Sequence, residues 1–275
     1  MKRVLLVLMM VMFFGLGMVT HAISSNVIFD FIAADFGATY TPPGPGSGIE
    51  DGVADSWGIG QVISVYTTNP YTPIWSPGGS GYQSLEFYMG GLDDHSVTWT
   101  GSGWQVLSTG INYAGSGDPS GAKIYLYGSP VQNINYSVGP GASDPGTGAG
   151  WNVGNGADVL LLELEFVPGI IPGDTTTVLA ASFEGTWTHG EGAGYLKVIG
   201  GAWSSLYDLN GYLGGDADLY FEYSADTDLG MGFWPYGWTV EVDGTANAVP
   251  EPATLLLLGS GLIGIVGVAR KRFLK

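Results

Sequence analysis

Through most of this chain every second residue is apolar, in run after run, and a period of two is the pattern of a β-strand with one buried face. Val27, Phe29, Phe31 and Ala33 share a face near the start, and Gln61 to Tyr66 is a short β-branched run. Leu85, Phe87 and Met89 alternate with Glu86 and Tyr88, Val97 and Trp99 with Ser96 and Thr98, and Ile124 and Leu126 with Lys123 and Tyr125. Later runs are cleaner. Leu160, Leu162, Leu164 and Phe166 oppose Glu163 and Glu165, and Leu179, Ala181, Phe183 and Trp187 oppose Ser182, Glu184 and Thr186. Leu219, Phe221 and Tyr223 oppose Tyr220 and Glu222, and Trp238, Val240 and Val242 oppose Thr239 and Glu241. Helical spacing occurs only at Ala202 to Leu209, where Trp203, Leu206 and Tyr207 fall together. Gly/Pro-rich stretches at Thr41 to Gly48, Asn69 to Gly81 and Gly139 to Gly150 read as loops by their turn chemistry. Alternation of this kind suits antiparallel sheets with one wet face. The expectation is an all-β fold, an antiparallel β-sandwich of jelly-roll type. A β-barrel or β-helix is the alternative, and the lack of a regular repeat speaks against the β-helix.

Charge narrows the function classes. All 25 acidic residues lie between Ile23 and Pro252, where only Lys123 and Lys197 oppose them and there is no arginine. Six of the eight basic residues sit at the two ends: Lys2, Arg3, Arg270, Lys271, Arg272 and Lys275. A body this acidic lacks the cations that phosphate contacts require, so nucleic acid is not an expected partner. It suits attraction of cations, or solubility in a crowded, sugar-rich exterior. There is no cysteine, which removes disulfides, thiol catalysis and thiolate metal sites together.

The two ends read as addresses. Lys2 and Arg3 followed by the apolar Val4 to Met18, with Thr20-His21-Ala22 beyond, have the form of a secretory signal peptide cut after Ala22. At the other end Val249-Pro250-Glu251-Pro252 precedes the uncharged run Thr254 to Ala269, and Arg270-Lys271-Arg272 follows. As a helix that run is about 24 Å long, short for a hydrocarbon core of roughly 30 Å, and its cationic flank can snorkel to the headgroups. The positive-inside rule leaves the basic tail cytoplasmic and the body exported. The expected division is a signal peptide at 1–22, an extracellular β-sandwich at 23–248 and a sorting signal at 249–275.

The tail resembles the PEP-CTERM protein-sorting domain of exopolysaccharide-producing Gram-negative bacteria. The resemblance rests on Pro250-Glu251-Pro252, the apolar stretch Leu255, Leu256, Leu257 and Leu258 with Ile263 and Val266 further on, and the Arg270-Lys271-Arg272 cluster. It covers about a tenth of the chain. It implies that exosortase, a membrane protease-transpeptidase, reads the tail and cuts near Pro250–Pro252. In that picture Leu255 to Val268 form a transient membrane anchor and Arg270, Lys271 and Arg272 stop transfer. The destination implied is the outside or the cell surface of a Gram-negative bacterium.

Residues that could carry chemistry in the body are sparse. A Ser-His-Asp set can be drawn around His95 with Asp93 or Asp94, without a Gly-x-Ser-x-Gly elbow to support it. Glu163 and Glu165 are candidate glycosidase carboxylates, which solvated strand positions explain equally simply. Calcium is the better chemical possibility, at Asp93 and Asp94, Asp216 and Asp218, or Asp226 and Asp228, where hard oxygen ligands border strands. Solvated acidic turns are the plainer account of each cluster. Among the nine tryptophans, Trp99, Trp187 and Trp238 sit on apolar faces and read as core, whereas Trp75, Trp151 and Trp234 lie in Gly/Pro loops, where they could stack on a glycan. The reading adopted is a non-enzymatic, exosortase-sorted protein with a structural or binding role in the extracellular polysaccharide matrix. A carbohydrate-binding or adhesive module is the alternative, and a glycan hydrolase is a third.

Overall fold

The computed structural model describes residues 25–35, 56–68, 71–78, 81–110, 121–138, 146–186, 188–210, 212–226 and 240–248. The expected signal peptide and the tail beyond Ala248 lie outside them, as do Trp187, Asp228, Trp234 and Trp238. The strands are β1 (Ser25–Asp35), β2 (Ser56–Thr68), β3 (Tyr71–Trp75), β4 (Ser84–Trp99), β5 (Gly103–Gly110), β6 (Lys123–Ser129), β7 (Val159–Val167), β8 (Thr177–Glu184), β9 (His189–Gly200), β10 (Leu219–Asp226) and β11 (Val240–Ala248). A short 3-10 turn covers Gly148–Trp151 and a single helical turn Ser204–Tyr207, the latter where helical spacing was read.

All pairings are antiparallel and join the eleven strands into one sheet in the order β3-β2-β1-β11-β10-β9-β7-β6-β4-β5-β8. Two further pairings, β2–β4 and β9–β8, fold that sheet back on itself. One circuit of hydrogen bonds runs from β4 through β6, β7, β9, β10, β11, β1 and β2 back to β4, and a second links β4 to β9 through β5 and β8. Among the described residues, closure of this kind leaves only the short β3 paired on one side, and free edges are otherwise sites for unwanted pairing.

Two long strands make the closure possible by changing partners along one edge. The first part of β4 pairs with β6, from Ser84 to Gly90, and the second part with β5, from Leu92 to Trp99. Its opposite edge carries β2, from Glu86 to Leu92. The change of partner falls at Gly91, whose φ of 80° lies in the left-handed region, and a Cβ there would stand 2.7 Å from the Gly121 carbonyl oxygen. Only glycine fits both the backbone conformation and the approach. In the same way β9 pairs with β10 on one edge and divides the other between β8, over Gly190 to Gly194, and β7, over Tyr195 to Gly200.

The enclosed core holds Leu85, Phe87, Leu126, Leu162, Leu164, Leu196, Leu219 and Phe221, with the Phe166 and Phe221 rings edge-on at 5.9 Å. On β9 the inward positions Gly190 and Gly192 have no side chains, and the rings of Phe183 and Tyr223 occupy that space; a Cβ at Gly192 would meet Tyr223 at 2.4 Å. On β7 a bulge against β6 shifts the register between Leu162 and Leu160, so that Leu161 is fully buried and Leu160 only half. The expected uniform alternation of Leu160 with Leu162 fails there because a bulge adds one residue to one strand only.

The expectation of one wet face also fails on β4, where Ser84 to Asp94 are all buried. The outer face of β2, β4 and β6 is covered by residues 131–138 and 146–153, and a second small core forms there from Trp57, Ile59, Tyr88, Trp151 and Val153. Trp57 and Trp151 rings meet at 4.8 Å, and the Trp151 indole N–H donates to the Val138 carbonyl at 2.7 Å. This corrects the reading of Trp151 as an open stacking face, since it is 6% exposed. Trp75 is corrected likewise: it is buried, and its Nε1 donates to the Tyr82 carbonyl. Trp99, read as core, is 42% exposed and packs edge-on against Trp104.

Candidate functional site

Once the inward positions of β5, β8, β9, β10 and β11 are filled by the core, their alternate residues face out and line a groove of about 800 Å³. The register orders them in rows across the strands. One row runs Gln105, Ser182, Glu191, Ser224 and Asp243, and the next Leu107, Ala180, Ala193, Glu222 and Thr245. The floor is alanine and glycine, the polar groups are hydroxyls, one amide and three carboxylates, and among the described residues no lysine, arginine or histidine lines it. Glu191 and Asp243 stand directly opposite Ser224 on its two sides and Glu222 lies two residues along β10, so that Glu222 is diagonal to each of the other two acids. Thr245 Oγ1 donates to Glu222 Oε1 at 3.3 Å.

One side of the groove is flanked by tyrosine. Tyr195 and Tyr220 stand opposite each other on β9 and β10 with ring centroids 5.5 Å apart, and Tyr212 packs on both, at 5.6 and 6.3 Å. The Tyr212 hydroxyl donates to the Asn247 carbonyl, and its pKa is pushed up to about 12 by burial first, then by Tyr195, Tyr220 and Glu222. Tyr220 is raised too, by burial and then by Glu222. The carboxylate field thus reaches the tyrosine wall. Sequence reading searched tryptophans and missed this cluster; its signal was the pairing of tyrosines at outward positions of two alternating runs.

The residues singled out for chemistry are not brought together. Asp94 accepts from Ser108 Oγ at 2.6 Å, and Asp93 is fully buried in the middle of β4. Asp218 is buried as well; its two oxygens accept from the Val198 and Asn210 backbone N–H groups at 2.7 and 2.6 Å, which ties the 208–218 turn to β9. Asp216 is exposed on that turn, and Asp226 lies 3.5 Å from His189 at the end of β10. Asp93, Asp94 and Asp218 are buried, the first two within β4, rather than exposed on loops. Among the described residues no three His, Cys, Asp or Glu are grouped to hold a metal ion.

The drawn triad does not assemble either. His95 Nε2 meets Thr177 Oγ1 at 2.9 Å rather than Asp93 or Asp94, and the Thr177 hydroxyl itself donates to Asp174. With its proton directed at Asp174, that hydroxyl accepts from the imidazole, the reverse of nucleophile activation. Asp174, which also accepts from Thr176, is held well below the usual carboxylate range by these hydrogen bonds. Glu163 is engaged by Lys123 at 2.7 Å.

β11 is a central strand, paired to β1 and β10, and ends at the fully buried Ala248. The model of the PEP-CTERM protein-sorting motif matches residues 248–272, beginning at that same residue. The chain carries a PEP-CTERM sorting motif. The motif implies an exported protein processed by exosortase at the membrane. No curated protein and no solved structure matches the chain, so the motif gives the address of the β body without assigning it a family. Among the described residues no helix is long and apolar enough to cross a membrane; the apolar span of the PEP-CTERM tail lies outside them. Pro250 and Pro252 follow β11 closely, and neither has an N–H with which to extend the ladder. The matched motif thus begins at the last residue of β11.

Proposed function

We propose that this is a non-enzymatic protein of the extracellular polysaccharide matrix, held at the membrane by its tail and freed or transferred by exosortase. In this reading the segment 1–22 directs export and is removed after Ala22. Leu255 to Val268 hold the precursor in the membrane, Arg270 to Arg272 keep the tail cytoplasmic, and Pro250, Glu251 and Pro252 are read by the protease. The observation that carries the reading is the match to the sorting motif immediately beyond β11. A cut there leaves every strand with the body. The acidic surface suits a hydrated exterior, and the closed pairing suits persistence outside the cell.

The test is replacement of Pro250-Glu251-Pro252 by three alanines in the native cell. Full-length protein should accumulate in the membrane fraction, with loss of the shortened extracellular form. Normal release of a shortened product from that variant rejects the scheme.

A further inference from the structure

We propose that the groove across β5, β8, β9, β10 and β11 binds a linear glycan bearing free amines, its sugar rings lying against the tyrosine wall and its ammonium groups between Glu191, Glu222 and Asp243. The inference deepens the matrix role proposed above by naming the polymer class and the place where it binds. Three features of the groove carry it.

The first is shape. Five strands at roughly 5 Å spacing give a trough about 20 Å long, open along its length and floored by Ala180 and Ala193. That suits a chain laid across the strands better than a compact ligand. The second is chemistry. Sugar rings stack on aromatic faces, and Tyr220 lines the groove along one side. Hydroxyls and carboxylates are partners for sugar hydroxyls. The third is charge. Among the described residues the groove is lined by three carboxylates, Glu222 diagonal to the other two, and by no cation, so an occupant with spaced positive charges complements it. The acids are spread rather than gathered round one point, which favours several ammonium groups over a single metal ion.

A basic peptide shares the charge but fits less well. Peptides that bind sheets usually add a strand at a free edge. Here β8, β9, β10 and β11 are each paired on both sides, so the groove offers side chains and no backbone ladder.

The experiment is calorimetric titration of the full chain in detergent micelles with a fully deacetylated β-1,4-glucosamine hexamer, its N-acetylated counterpart and hexalysine. The deacetylated hexamer should bind, and added salt should weaken it. Glu222→Gln and Tyr220→Ala should each reduce affinity about tenfold or more, equivalent to roughly 1.4 kcal/mol, whereas Asp216→Asn should leave it unchanged. Melting temperatures of all variants serve as the folding check. No binding of the deacetylated hexamer overturns the inference, as does binding insensitive to Glu222→Gln and Tyr220→Ala in folded protein. Equal binding of hexalysine also overturns it, by reducing the groove to an unspecific cation trap. A protein that is released normally in the cell yet ignores the amino glycan refutes this site alone and leaves the sorting scheme standing.

Discussion

Lys123 Nζ and Glu163 Oε1 meet at 2.7 Å across the β6–β7 pairing, with the lysine side chain 7% exposed and the glutamate 23%. The bridge is diagonal, because the register places Lys123 directly opposite Glu165. The body's other lysine, Lys197, stands opposite Glu165 from β9. The two cations of the acidic body thus flank the two glutamates of β7, and the Lys123 ammonium also lies 5.7 Å from the Tyr125 ring centroid. Removing one partner of a buried pair costs about 3–5 kcal/mol, and the partial exposure of Glu163 lowers the expectation for Glu163→Gln to about 1–2 kcal/mol. The double variant Lys123→Met/Glu163→Gln should recover most of that loss. Urea midpoints of the single and double variants give the coupling directly.

How much of this was legible in the sequence depended on whether a local signal existed. Strand identity was legible because burial of one face writes a period of two into each run, and Leu162, Leu164 and Phe166 on β7 obey it. The bulge at Leu161 was not, since it is set by the register against β6. The burial of Glu86 and Tyr88 was hidden for a related reason: their cover comes from the distant segment carrying Trp151 and Val153. The groove is a product of strand order. Glu191, Glu222 and Asp243 are far apart in sequence and meet only because β9, β10 and β11 are neighbours. The sorting tail was read directly because its recognition depends on consecutive residues.

At Gly91 a single methyl group should disturb the change of partner along β4. Its φ of 80° disfavours any L side chain, and the added carbon would be forced against the Gly121 backbone. Gly91→Ala should cost about 2–4 kcal/mol, combining strain and overpacking. Gly78 has a similar φ of 75° with nothing within 4 Å, so Gly78→Ala should show the strain alone, about 1 kcal/mol. The difference between the two melting curves isolates the close approach of β4 to the start of β6.

Glu86 predicts a pH dependence. Its Oε1 accepts from Ser84 Oγ at 2.7 Å and from the Asn133 N–H at 3.3 Å, while Oε2 is buried without a hydrogen-bond partner. Burial raises its pKa above the ordinary 4.5, against the lowering effect of those two bonds. A carboxyl raised on folding binds more protons in the native state, so its contribution is fully present below pH 4.5 and is lost as pH rises through the folded value. Glu86→Gln cannot ionise and should lack this loss. The stability of the native protein relative to Glu86→Gln should therefore fall as pH rises above 4.5 and level off once Glu86 is charged. Urea midpoints across that range measure it, and parallel curves for the two proteins would refute the assignment.

Trp151 and Trp99 give a paired test of which tryptophans hold the body together. Trp151 packs on Trp57 and, through its bond to Val138, pins residues 131–138 over β2, β4 and β6. Trp151→Ala should cost about 3–5 kcal/mol, as for a large ring removed from a core. Trp151→Phe keeps an aromatic ring and loses the indole hydrogen bond, so its cost should be nearer 1–2 kcal/mol. Because the ring fastens a covering segment, limited proteolysis of Trp151→Ala should cut first within 131–158 while the closed sheet persists. Trp99 is 42% exposed and touches Trp104 from outside, so Trp99→Ala should lose only about 0.5–1.5 kcal/mol and leave the cleavage pattern unchanged. Equal losses from Trp151→Ala and Trp99→Ala would mean that the outer cover contributes little, and early cleavage in the strands of the closed circuit would mean that cover and sheet unfold as one unit.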